Sequence, residues 1–110
     1  MKCLQNNARK LQFQEALLNA IDETLLTLGE SVKQAIYYHI KQKYNITREE
    51  VLIKLKEFYK ALEEIFGFGV KILEKLIVKN FYRRINLNFE EHAEWDLIEY
   101  IEHAKEVFFI

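Results

Sequence analysis

The feature that most constrains this chain is a lack of breakers: none of its 110 residues is proline, and only Gly29, Gly67 and Gly69 are glycine. Asn-Gly and Asp-Gly pairs, the strongest short-range hairpin signals, are also missing. Proline removes a backbone donor, and glycine costs about 1 kcal/mol in a helix interior relative to alanine, so a chain with so few of either stays helical over long runs. Half the residues are hydrophobic and 30% are charged, which supplies one core and lies far from the composition of disorder. The expectation is a single all-α domain over residues 1–110, a helical bundle of about five helices, with residues 1–9 as a loosely ordered tail.

Periodicity places Phe13, Leu17, Ala20, Ile21, Thr24, Leu25 and Leu28 on one face of a first helix from about residue 10 to residue 28, ended by Gly29. Ser31 and Gln34 have the spacing of a capping box and predict the start of a second helix, with Val32, Ala35, Ile36, His39 and Ile40 facing inward and Asn45 as its left-handed end. Thr47 with Glu50 predicts the next start, reinforced by Ile46 and Val51 in the positions of a hydrophobic staple. Val51, Leu55, Phe58, Leu62 and Ile65 form the third stripe, and Gly67-Phe68-Gly69 turns the chain.

A fourth helix carries Val70, Leu73, Ile77, Phe81 and Ile85, with Ile72 and Leu76 widening its apolar arc, and is expected to be the most buried element. Asn88 with Glu91 reads as a cap for the fifth helix, whose start falls as late as Glu94 and whose stripe is Leu97, Ile101, Ala104 and Phe108.

Several function classes lose support at this stage. The formal net charge of −1 gives no overall attraction to nucleic acid or anionic membrane. Apolar runs such as Leu76-Ile77-Val78 are far shorter than the ~18 residues of a membrane span, and the start of the chain is too polar for a secretory signal. Cys3 is the only cysteine, so no intrachain disulfide or cysteine-based zinc cluster forms within one chain. A cytoplasmic protein without a membrane partner is the expectation.

The stretch Leu28-Gly-Glu-Ser-Val-Lys-Gln-Ala-Ile-Tyr-Tyr-His-Ile40 is followed by Phe58-Tyr-Lys-Ala-Leu-Glu-Glu-Ile-Phe-Gly-Phe-Gly-Val-Lys-Ile-Leu-Glu-Lys-Leu-Ile77. Together they resemble the archaeal Nitrosopumilus output domain family, over about Ala16 to Tyr82 and more weakly to the end. That family is described as the C-terminal domain of negative transcriptional regulators in ammonia-oxidising archaea, and also as short stand-alone proteins. The resemblance implies a small regulatory or interaction domain, and it carries no catalytic residue to this chain.

Motifs for chemistry are sparse. His92, Asp96, Glu99 and His103 fall within about 60° on one face of an ideal helix, the side opposite the Leu97 stripe that amphipathicity assigns to solvent. Glu-x-x-His, His-Glu-x-x-His and phosphate-binding glycine loops are absent. Cys3 has no activating neighbour, and Ser31 is explained as a cap. No catalytic, metal or cofactor residue is assigned, and the expectation is a protein that is not an enzyme.

Two binding surfaces remain. Lys71, Lys75, Lys79 and Arg83 follow one another at four-residue spacing, with Tyr82 alongside, as candidate nucleic-acid contacts; Glu74 interrupts them. The aromatics exceed what five stripes bury, and Tyr37, Tyr38, Phe66, Phe68, Phe108 and Phe109 are the candidate interface. The favoured reading is a non-enzymatic regulatory or protein-interaction domain, a homodimer or bound to a protein partner, with nucleic-acid binding the alternative.

Overall fold

The structure is a computed structural model that describes the backbone of residues 2–109 and the side chains of residues 8–109. Five α-helices follow in order: α1 over Lys2–Leu26, α2 over Glu30–Tyr44, α3 over Leu55–Phe66, α4 over Val70–Arg84 and α5 over Leu97–Phe108. Single 3-10 turns over Arg48–Glu50 and Gly67–Gly69 precede α3 and α4, and there is no strand among the described residues. The all-α bundle is the fold expected from the missing breakers.

Helix α1 starts at Lys2 instead of near residue 10, so residues 2–9, expected as a loose tail, have helical backbone; the Cys3 side chain lies outside the described residues. At about 1.5 Å per residue its 25 residues span roughly 37 Å, most of the 41 Å long axis. Helices α1 and α4 make the most extensive contact in the bundle. Phe13 meets Phe81 edge to face at 5.0 Å between ring centroids, a geometry that suits the ring quadrupoles. Thr24 is buried in this seam without cost to its hydroxyl: Oγ1 donates to the Ala20 carbonyl at 2.8 Å and accepts from Asn80 Nδ2 at 2.9 Å. Leu55, Phe58, Ala61 and Leu62 of α3 and Leu97, Ile101 and Ala104 of α5 close the core.

Helix starts differ from expectation in instructive ways. Gly29 at φ 110° precedes α2, which begins at Glu30, so Ser31 is already inside the helix and makes no capping bond. Gln34 instead donates to Glu30 at 3.2 Å. Thr47 does pair with Glu50, its N–H donating to the Glu50 carboxylate at 2.9 Å over buried Ile46 and Val51, but it caps the 3-10 turn while α3 waits until Leu55. The Asn88–Glu91 cap does not form. Asp96 and Glu99 make the capping box of α5, each carboxylate accepting the other's N–H at 3.1 Å.

Burial also departs from the periodic reading at Leu28, which lies beyond the end of α1 and is 43% exposed, at Ile65, which is 37% exposed, and more broadly on two faces. On α2 only Ile36 and Ile40 are buried, whereas Val32, Ala35 and His39 are exposed. No helix covers that side, so these residues line a shallow apolar groove of about 610 Å³ against Glu64 and Ile65 at the end of α3. On α4 the arc widens in the opposite sense to that expected. Glu74, Val78 and Tyr82 join Val70, Leu73, Ile77 and Phe81 inside, while Ile72 and Leu76 face outward.

Candidate functional site

The surface of α4 that turns away from α1 concentrates the unusual chemistry of this protein. The connection from Asn86 to Asp96 has no helix, and its path is set by aromatic packing and hydrogen bonds to backbone. Tyr100 Oη donates to the His92 carbonyl at 3.1 Å and accepts the His92 N–H at 2.8 Å, while Tyr82 Oη donates to the Tyr100 carbonyl at 2.6 Å. Burial pushes the Tyr82 hydroxyl up to about 12, which keeps it a donor at any ordinary pH. Phe89 stacks on Tyr100, and His92 lies flat on Trp95 with centroids 3.8 Å apart and planes 19° from parallel.

Between this connection and α4 runs a groove of about 680 Å³, whose lining includes Lys71, Lys75, Lys79, Glu74, His92 and Trp95. Glu74 is its most unusual member, a carboxylate only 5% exposed. Its Oε2 faces Lys71 Nζ at 3.6 Å, and its Oε1 has no hydrogen-bond partner among the described residues. A buried acceptor without a donor costs about 1–3 kcal/mol. Burial pushes the Glu74 carboxyl above the usual carboxylate range and nearby Asp96 adds to this, against the opposing pull of Lys71 and of the Leu97 N–H at the start of α5.

The four cations read as a nucleic-acid face are engaged with the chain's own groups to different degrees. Lys71 is beside Glu74, Lys75 pairs with Glu91 at 2.6 Å, and Arg83 pairs with Glu23 at 3.2 Å. Lys79 has no ion pair among the described residues and sits over the Phe89 ring at 5.6 Å. Tyr82, expected beside them as a stacking residue, is buried and unavailable to a base.

The candidate interface residues divide. Tyr37 is half-buried and donates to Asp22 at 2.6 Å, in a knot that Arg48 completes with a 2.7 Å ion pair to the same carboxylate. Burial, with that hydrogen bond second, pushes the Tyr37 hydroxyl well above the usual tyrosine range. Phe66 packs against the core, and Phe108 does so beneath the Arg9 guanidinium and against Phe13. Phe109 reaches Phe13 as well, at 5.4 Å, and keeps part of its ring in solvent. Tyr38 and Phe68 are the most exposed members, and Phe68 is fully so, at 100%.

Phe68, a candidate interface residue, precedes two residues that the apolar pattern assigned to the buried arc of α4, Ile72 at 71% and Leu76 at 43% exposed. At 100° per residue Ile72 and Leu76 differ by only about 40° and share the outer face of α4, and Phe68 stands in the 3-10 turn immediately before its first residue. The helix-five quartet does not form. His92 lies in the connection, Asp96 and Glu99 are consumed in the cap, and only Glu99 and His103 remain on α5 itself. No group of three or more His, Cys, Asp or Glu among the described residues is placed to hold a metal ion. No described helix is long and apolar enough to cross a membrane.

No protein-family model, curated protein or solved structure matches this chain.

Proposed function

We propose that this chain is a non-enzymatic interaction domain that self-associates through the outer face of α4, in a regulatory role of the kind that the resemblance to the archaeal Nitrosopumilus output domain family implies. The observation that carries the reading is Phe68 standing fully in solvent at the head of the Phe68, Ile72 and Leu76 strip. With aromatic side chains offering roughly 150–250 Å² each, the strip presents on the order of 400 Å² of apolar surface. That approaches the apolar share of one side of a standard interface, roughly 57% of about 800 Å².

The charges around the strip favour a second copy in one orientation. Lys79 and Arg83 extend the same face toward the C-terminal end of α4. A parallel pairing would set these cations against their own copies. An antiparallel pairing about a two-fold axis near Ile72 brings Phe68 onto the partner's Leu76 and separates the two Lys79 positions by about 21 Å along the axis, beyond the Debye length of ~8 Å at physiological salt.

Light scattering with mass determination at about 10–100 µM, where interfaces of this size usually assemble, is expected to give a dimer, and Phe68→Ser or Ile72→Glu a monomer. A chain that stays monomeric throughout that range refutes self-association. The alternative, nucleic-acid binding, draws on Lys79 and on the weakness of exposed ion pairs such as Lys75–Glu91. Replacing Lys75, Lys79 and Arg83 with glutamine would abolish retention on DNA or RNA if that reading held; unchanged retention removes it.

A further inference from the structure

The groove beside Glu74 shares Ile72 and Leu76 with the apolar strip, but its polar and aromatic members have a chemistry that self-association does not use. It joins a flat aromatic stack to a buried acceptor that lacks a donor and a cation that lacks an ion pair among the described residues, in a volume of about 680 Å³. Sites for small molecules have about this size, with a few placed polar groups on a mainly apolar lining. A ligand suited to it must donate a hydrogen bond to Glu74 Oε1 and bring negative charge to Lys79.

The spacing of these two requirements narrows the class of molecule. Glu74 and Lys79 are five residues apart on α4, a rise of about 7.5 Å along the axis and a turn of about 140° around it, so their charged ends lie farther apart than the rise alone. An α-amino acid carries its ammonium and carboxylate on one carbon and does not bridge that distance. A nucleotide does, since ribose separates the amino group of its base from its phosphate. Its ring would extend the His92–Trp95 stack, as bases do on aromatic platforms. Lys75, whose bond to Glu91 is an exposed ion pair of the kind worth little in water, is free to add a second contact to phosphate.

We infer that this groove binds a nucleotide, with the base amino group on Glu74, the ring against the His92–Trp95 stack, and the phosphate on Lys79 and Lys75. Trp95 is the only tryptophan in the chain and lines this groove, so its fluorescence reports on a ligand stacked there. The full chain is titrated with AMP, GMP and CMP, and with adenosine and ribose 5-phosphate as partial probes. At least one mononucleotide is expected to give a saturable change, with the two fragments at least about tenfold weaker.

Glu74→Leu is expected to weaken binding about tenfold or more while retaining the circular dichroism of the parent and melting at or above it, and exposed Lys79→Gln to weaken it several-fold. Phe68→Ser leaves every groove residue in place and uncovers Ile72 and Leu76, so it is expected to bind nucleotide at least as tightly as the parent while failing to self-associate, which distinguishes failure of this site from failure of self-association. The inference is overturned if none of the three mononucleotides gives saturable binding up to about 10 mM, if ribose 5-phosphate binds as well as the nucleotides, or if Glu74→Leu and Lys79→Gln both bind like the parent.

Discussion

At the scale of single residues, Glu74 is the group whose environment departs furthest from the ordinary. Its carboxyl is held above the usual range by burial, so the folded state binds a proton that the unfolded chain has released at the same pH. Its contribution to stability is therefore greatest below the unfolded-state value and declines as pH rises through the folded one. Glu74→Gln, which mimics the protonated form, is expected to melt near the parent at about pH 4 and progressively above it toward about pH 8, a difference read by thermal melts at matched ionic strength. A gap that narrows with rising pH would contradict the assignment. This residue was legible in part: it stands four positions after Val70 and four before Val78, inside the arc that the structure buries.

Among the elements, the joints differ more from the sequence reading than the helices they connect. Gly29 at φ 110° and ψ 149° occupies a backbone region essentially closed to other residues, whereas Gly69 at φ −64° and ψ −16° is already helical. A Cβ at Gly69 would meet Phe66 Cβ at 3.8 Å, an ordinary contact. Gly29→Ala is therefore expected to lower stability by about 1–3 kcal/mol, and Gly69→Ala to leave it unchanged or raise it by about 0.4–1 kcal/mol, as measured by urea denaturation. Equal effects would mean that the Gly29 conformation is not required. The glycines were legible as punctuation because their distribution is so sparse. The start of α5 was not, since both Asn88–Glu91 and Asp96–Glu99 have the spacing of a cap. Tyr100 selects between them by holding His92 in a non-helical path.

Over the whole molecule, the α1–α4 seam carries the packing, and Phe13 is its hub. It is 1% exposed and meets Phe81, Phe108 and Phe109, so it joins α1 to α4 and to the C-terminal end of α5. Phe13→Ala is expected to cost about 3–5 kcal/mol, a large part of the 5–15 kcal/mol typical of a domain, and to bring the unfolding midpoint sharply down. A loss below about 1 kcal/mol would show that the seam repacks. The all-α class, the buried face of α1 and the left-handed end of α2 at Asn45 followed from the chain itself, because breaker content and the 3.6-residue period act locally. Which side of α4 faces water did not. Its apolar residues cover most of the helix surface, so the period alone leaves Ile72 and Leu76 as plausible in the core as Val78. Only the placement of α1 and α5 settles the matter, because burial is a property of what packs against a side chain. The same packing exposes Phe68 and leaves Glu74 inside with one oxygen unsatisfied.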